Sequence, residues 1–443
     1  MTDPVRQQAE AQPDAPALVT GTEVWTWAEL DARVGAGAAR LVHDRGPVAV
    51  QAETSPGLVV LALAALRAGR LLVPLSTRWP PAATAQALRR LGLDGVVSVP
   101  DEPDGAPSGD PPDLDGATPW TLVHTSGSTG TPKPIVHTVG NHVWSARGVI
   151  EHLGLGPGDR WLLDLPLYHV GGLGVVVRCV LAGATLAVPS RSVPPAERVS
   201  RLRPTHASFV ATQLLRLLDA DADLSSLRTV LLGGSAIPAG LVARAHQRGV
   251  RASVSYGLTE MTSTVTATAP GEDAAGSGRP LPYRDVRLSA AGEIEVGGPA
   301  LAGVWDGGAV RPLGPWHPTG DLGHWDGRGR LVVTGRRDLQ FVSGGENVRP
   351  EAVEAALTAL DAVAEAVVVP VPDTTFGARP VAWVRPAPGC ALDPAALAAA
   401  LRQTVAGFAV PVAFWAWPGA DGLKPDRPAL TREAERRAAP DVD

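Results

Sequence analysis

Of the 39 Lys and Arg residues in this 443-residue chain, only two are lysines, Lys133 and Lys424. Where a generic positive charge is wanted, the sequence uses arginine. A retained lysine therefore points to chemistry that needs a compact, mobile ammonium rather than a planar fork. Lys133 closes the run Thr125-Ser126-Gly127-Ser128-Thr129-Gly130-Thr131-Pro132-Lys133, which follows an apolar stretch from Trp120 to Val123. Small residues let backbone N–H groups curl around phosphate oxygens, and the hydroxyls add donors. Two residues separate Gly130 from Lys133, so the run does not fit the Gly-x-x-x-x-Gly-Lys-Ser/Thr loop of Walker-type NTPases. A plain Ser/Gly loop and two solvated lysines are the bland alternatives.

Three further motifs follow. In Tyr256-Gly257-Leu258-Thr259-Glu260 the ring could stack on a purine, Thr259 could reach a phosphate, and Glu260 could hold Mg²⁺, a hard ion suited to carboxylate and phosphate oxygens. In His317-Pro318-Thr319-Gly320-Asp321-Leu322-Gly323, Asp321 could accept from two ribose hydroxyls, with Arg336 in reach of the same ribose. Ser343-Gly344-Gly345-Glu346-Asn347-Val348 reads either as a hairpin turn or as a place where a slender ligand chain approaches the backbone closely. Each motif alone is weak.

The elements that must position these residues read as α/β. The chain is long enough for one large and one small domain. It is 45% hydrophobic and 19% charged, as an ordinary globular core requires. The net charge of −6 comes without a basic block, which disfavours nucleic-acid binding. Cys179 and Cys390 form no metal spacing and suit a reducing, cytoplasmic setting. The N-terminus is polar, and the longest apolar run, 57–66, is too short for a membrane span and reads as a buried helix. Helices and short strands alternate to about residue 100, and 101–118 reads as a loop. Alternation then resumes, with strands at 161–164, 185–188, 207–210, 230–232 and 253–255 and a helix at 239–248. The Gly-rich stretch 285–333 reads as a small β-subdomain. Beyond it lie helix 350–359, strands 363–370 and 380–385, helix 393–405 and a last helix from Thr431.

Together and in this order, the four motifs resemble those of the acyl-adenylate-forming superfamily, which contains acyl-CoA synthetases, adenylation domains and luciferases. The resemblance covers essentially the whole chain. It implies a large N-terminal domain of mixed sheets with covering helices plus a β-subdomain (1–335), a hinge (336–338), and a small mobile α+β C-terminal domain (339–443). It also implies two half-reactions: ATP and a carboxylate give acyl-AMP and pyrophosphate, then a thiol displaces AMP. On this resemblance Thr125 to Lys133 holds the β- and γ-phosphates. Glu260 is the Mg²⁺ ligand, and Tyr256 is the adenine partner beside Gly233, Gly234 and Ser235. Asp321 and Arg336 contact the ribose, and Asp338 is the hinge. Ser343, Gly344, Gly345 and Glu346 face the CoA tunnel. Lys424 bridges the carboxylate and the α-phosphate, although its context is Gly-Leu-Lys-Pro-Asp-Arg where Ser-Gly-Lys-x-x-Arg is usual.

Longer stretches resemble the o-succinylbenzoate–CoA ligases of menaquinone biosynthesis, among them Leu165-Pro166-Leu167-Tyr168-His169-Val170-Gly171-Gly172 and Leu231 to Pro238. Such a substrate is a dianion. Its aromatic carboxylate is not activated and needs a binding group. Arg178, set between Val175-Val176-Val177 and Cys179-Val180-Leu181, is the candidate, unless it snorkels to the surface. Ser263 and Thr264 are candidate hydroxyl donors, and His169 is expected at the mouth of the acyl pocket. The expected partners are the acid, ATP and CoA, with no nucleic acid and no membrane; a homodimer is compatible. Other aryl or acyl acids, carrier-protein loading, and a non-catalytic acyl-nucleotide binder stay open. Ala207-Ser208-Phe209-Val210 lacks the Asp that would read an α-amino group, which disfavours an amino-acid substrate.

Overall fold

A computed structural model describes residues 1–42, 46–99, 113–125, 133–235, 237–418 and 426–438. These form two compact units. One comprises Met1–Val286 and Val296–His317, and the other Arg287–Glu295 and Pro318–Asp443.

The first unit is built on two mixed sheets. A nine-stranded sheet has a parallel centre, in which Thr229–Leu232 lies between His206–Phe209 and Arg251–Leu258. A six-stranded sheet contains Val48–Val50, Leu72–Pro74, Pro119–Thr125 and Lys133–Thr138. Val- and Leu-rich strands buried on both faces explain the parallel arrangement. The apolar run expected as a buried helix forms Pro56–Arg67, with Ser55 accepting from the Leu58 N–H and every residue from Gly57 to Arg67 buried. Arg67 ends it without reaching water, because Asp3 (2.8 Å) and Asp31 (2.6 Å) pair with its guanidinium.

The expected β-subdomain divides between two sheets. Gly303–Asp306 and Ala309–Pro312 join the six-stranded sheet through Gly303 opposite Val136. Trp305 and Val310 pack on the apolar cluster around Val73 and Leu75 there, and that burial draws the hairpin away from its neighbours in sequence. Asp285–Leu288, Glu293–Gly297, Trp316–Trp325 and Leu331–Arg336 form a separate four-stranded sheet.

In the second unit Val363–Asp373 and Gly377–Pro386 pair along their length, and helices Pro350–Thr358, Pro394–Leu401 and Arg427–Ala438 accompany them. The two strands run longer than the 363–370 and 380–385 expected, and two helix ends differ as well. The helix expected over 393–405 stops at Leu401, where the Thr404 hydroxyl bonds back to the Leu401 carbonyl at 3.2 Å. The last helix starts at Arg427 rather than Thr431, because the Asp426 carboxylate accepts from the Ala429 N–H at 3.0 Å and Pro428 sits in the first turn, where its missing N–H has no helical partner to lose.

Candidate active site

Open α/β sheets collect ligands beyond the carboxyl ends of their parallel strands. Gly233, Gly234 and Ser235 leave the end of Thr229–Leu232. Tyr256 and Gly257 lie in the last residues of its neighbour Arg251–Leu258, and Thr259 and Glu260 occupy the short 3-10 turn Thr259–Met261 that follows. Tyr256, Thr259 and Glu260 are half-buried. The structure thus brings the purine and metal candidates to one sheet end. Thr125 and Lys133 face each other across the antiparallel strands Pro119–Thr125 and Lys133–Thr138, with Lys133 exposed. The rest of that run, Ser126, Gly127, Ser128, Thr129 and Gly130 through Pro132, lies outside the described residues, as does Lys424.

After Glu260 the chain reverses, and Ser263–Ala267 returns antiparallel with Leu258 opposite Ser263 and Gly257 opposite Thr264. A Cβ on Gly257 would overlap the Ser263 carbonyl, so only glycine fits. The reversal forces left-handed φ on two residues that carry side chains, Thr262 at +52° and Ser263 at +109°. Such strain costs on the order of 1–3 kcal/mol per residue and persists only where its surroundings over-determine it. Here Thr262 Oγ1 donates to the Ala300 carbonyl at 2.8 Å. Ser145 Oγ donates to the Thr262 carbonyl at 2.6 Å. Arg284 Nε donates to the Thr264 carbonyl at 3.0 Å, and its other N–H groups go to the carbonyls of Trp144, Pro282 and Ser145.

The strained segment presents Ser263 to Arg178, which sits in helix Val170–Ala182 and is 1% exposed, so it does not snorkel. Its Nη2 donates to Ser263 Oγ at 3.1 Å, and its guanidinium lies 5.4 Å over the Trp161 ring. Its Nε has no partner among the described residues. Among the described residues its electrostatic neighbours are Arg284 and Cys179 rather than a carboxylate; burial first, then Arg284, pushes its pKa down to about 9. A buried cation in that state is costly unless an anion completes it. Gly174, one turn earlier, makes room: a Cβ there would sit 3.1 Å from Arg178 Nη2. Thr264 is buried, and the hydrogen bond from Arg178 goes to Ser263 rather than to it. His169 is the exposed N-cap residue of the same helix, against Tyr168 at 4.7 Å. Nine residues of helix set it about 14 Å from Arg178 along the axis, so the two are not brought together.

In the second unit, Asp321 and Arg336 are register partners, and Arg336 Nη1 donates to Asp321 Oδ1 at 3.0 Å. Arg336 also grips Asp338 through Nε (2.8 Å) and Nη2 (3.1 Å). Glu351 accepts from the Arg336 N–H at 3.0 Å, and Glu293 accepts from the Gly320 N–H at 3.0 Å. Ser343, Gly344, Gly345 and Glu346 form a tight hairpin, Ser343 opposite Glu346, with φ of +60° and +90° at the glycines. Two positive φ values are what a two-residue type I′ turn needs.

Sequence reasoning missed Gly174, Trp161, Ser145, Arg284, Glu293 and Glu351. Gly174 carried a signal, a glycine one helical turn before the lone charge of an apolar helix. Among the described residues no three His, Cys, Asp or Glu side chains gather as a metal-holding group. A single half-buried carboxylate, Glu260, suits Mg²⁺, which keeps its waters and takes one or two carboxylates plus substrate phosphates.

Residues 5–303 match the family described as AMP-binding enzyme, and 352–419 match the AMP-binding enzyme C-terminal domain. A 2-succinylbenzoate–CoA ligase of Salmonella typhimurium is 37% identical over 451 residues, covering 96% of each chain. A solved structure of an E. coli MenE variant with bound OSB-AMS superposes with a TM-score of 0.88 at 33% identity, covering 98% of each chain. The o-succinylbenzoate CoA synthetase of Bacillus subtilis, solved with the acyl-adenylate intermediate OSB-AMP, gives a TM-score of 0.86 at 26% identity, covering 97% of this chain and 98% of that one.

Proposed function

The chain belongs to the AMP-binding enzyme family, and on that premise we propose that it is an ATP-dependent ligase that joins 2-succinylbenzoate to CoA in menaquinone biosynthesis. The observation that carries the substrate is Arg178, a buried guanidinium with Ser263 beside it and no carboxylate partner among the described residues. The aromatic carboxylate of 2-succinylbenzoate supplies the missing anion. The succinyl carboxylate is then left to react.

In the first half-reaction a succinyl carboxylate oxygen attacks the α-phosphorus of ATP. The new O–P bond forms as the bond to the β-phosphate bridge breaks, and pyrophosphate leaves. Thr125 to Lys133 receives the β- and γ-phosphates. Tyr256 packs on adenine beside Gly233 to Ser235, and Asp321 takes the ribose hydroxyls with Arg336. Glu260 would hold Mg²⁺, which would supply positive charge against the phosphates. Lys424 stabilises the charge that develops between carboxylate and α-phosphate. In the second half-reaction the CoA sulfur attacks the acyl carbon, and AMP leaves with the bonding pair of the broken C–O bond. Residues 336–338 serve as the hinge between an N-terminal domain (1–335) and a C-terminal domain (339–443), and Ser343 to Glu346 lines the approach of CoA. A cytoplasmic reaction, where ATP and CoA are at hand, fits this reading.

The test removes one functional group from the acid. 4-Oxo-4-phenylbutanoate is 2-succinylbenzoate without its aromatic carboxylate. The wild type should favour 2-succinylbenzoate by about 100-fold or more in kcat/KM, as a lost charged partner of a buried cation implies, and Arg178→Ala should nearly erase that preference. A preference that survives in Arg178→Ala overturns the assignment.

A further inference from the structure

Two buried histidines in the first unit take no part in the reaction described above. His137 Nε2 lies 2.8 Å from the Thr259 carbonyl oxygen. His137 Nδ1 lies 3.1 Å from Thr121 Oγ1, and Thr121 Oγ1 lies 2.8 Å from His142 Nε2. His137 and His142 are 0% and 1% exposed. A carbonyl only accepts, so His137 Nε2 carries the proton. In neutral His137, Nδ1 then accepts, and the single Thr121 hydroxyl proton goes to it. Thr121 Oγ1 is left to accept from His142 Nε2–H. The reverse order would require a doubly protonated His137 in a fully buried position, which desolvation opposes. Among the described residues His142 Nδ1 has no acceptor to donate to, which agrees with its carrying no proton. The protons are therefore ordered in one direction, His142 to Thr121 to His137 to Thr259.

The elements joined this way carry the nucleotide machinery. Thr121 is four residues before Thr125, His137 is four after Lys133, and Thr259 opens the turn that holds Glu260. The Thr262 N–H closes that turn on the Thr259 carbonyl at 3.0 Å, and the Ala302 N–H to the Glu260 carbonyl at 2.8 Å ties it to the unit beside the Thr262 anchors at Ala300 and Ser145. We infer that His137 is a positioning residue for the nucleotide site: through the ordered chain His142–Thr121–His137–Thr259 it fixes the Thr259–Glu260 turn against the hairpin that bears Thr125 and Lys133. The inference rests on the assignment of Glu260 and the Thr125 to Lys133 run to MgATP.

Calorimetric titration of MgATP into wild type, His137→Phe and His137→Gln tests it, because nucleotide affinity does not depend on which acid is used. The glutamine amide nitrogen can replace Nε2–H toward the Thr259 carbonyl. Kd should rise about tenfold in His137→Phe, the loss of one good hydrogen bond, and recover to within about threefold in His137→Gln, while the KM for the acid moves by less than about twofold. Nitrogen-15 spectra of histidine-labelled wild type give a second reading that needs no variant. His137 and His142 should both be Nε2–H tautomers at pH 7, and the His137 Nε2 signal should move on MgATP addition. An Nδ1–H tautomer at His137, a signal unmoved by MgATP, or a His137→Phe enzyme that binds MgATP as wild type does overturns the inference. Wild type that binds MgATP but does not turn over 2-succinylbenzoate removes the substrate assignment and leaves this one standing.

Discussion

A guanidinium sealed into an apolar helix without a counter-ion raises the energy of the free enzyme, and an anion that fits recovers that energy on binding. Among the described residues Arg178 is in this state. Arg178→Ala should raise KM for 2-succinylbenzoate by about 100-fold and that for ATP by less than about twofold, since a buried charge partner is typically worth 2–5 kcal/mol. Steady-state titration of each substrate checks this, and equal rises would remove the substrate role. Lys424→Ala should slow adenylate formation by at least about 100-fold, as loss of a developing-charge stabiliser does. It should leave thioester formation from supplied acyl-AMP within about threefold. Separate half-reaction assays decide it, and equal loss of both would make Lys424 structural. Arg178 was legible in the sequence because a charge interrupts six apolar neighbours. The strain at Thr262 and Ser263 was not legible, because their φ values come from the strand reversal and its anchors at Ala300, Ser145 and Arg284. Arg284 itself sits in a polar stretch, Tyr283-Arg284-Asp285, that announces no buried cation.

At the scale of elements, helix Val170–Ala182 leaves space at Gly174 for Arg178, the proposed acid-binding cation. Gly174→Ala separates recognition from folding. Alanine improves helix propensity by about 1 kcal/mol, so Tm should hold or rise. The added methyl pushes the guanidinium from Ser263, so KM for the acid should rise about tenfold, equivalent to about 1.4 kcal/mol. Differential scanning calorimetry with acid kinetics reads both, and unchanged acid affinity would show that the guanidinium re-seats freely. Apolar runs bounded by Gly and Pro made most strands and the buried helix legible. Sheet membership was less so. Trp305 and Val310 join a sheet formed far earlier in the chain, and Asp426 with Pro428 starts a helix where proline reads as an interruption.

The whole molecule stores a pH dependence in its neutral histidines. Burial holds His137 and His206 down to about 4 and His142 well below its ordinary value. Unfolded, each titrates near 6.5. Between about pH 6.5 and 4 the unfolded chain binds more protons, so this stability is complete above 6.5 and is lost as pH falls, at up to about 1.4 kcal/mol per pH unit for each histidine. Urea unfolding at pH 7 and pH 5 should show a clear fall, and equal stability would contradict neutral burial. The two-unit division, the ordered motifs and the buried Arg178 converge on one reaction. It is tested most directly by mass spectrometry of the protein with ATP, Mg²⁺ and CoA, given 2-succinylbenzoate or benzoate. A CoA thioester, with AMP and pyrophosphate, is expected from 2-succinylbenzoate and none from benzoate. No thioester from 2-succinylbenzoate, or equal product from benzoate, would contradict it.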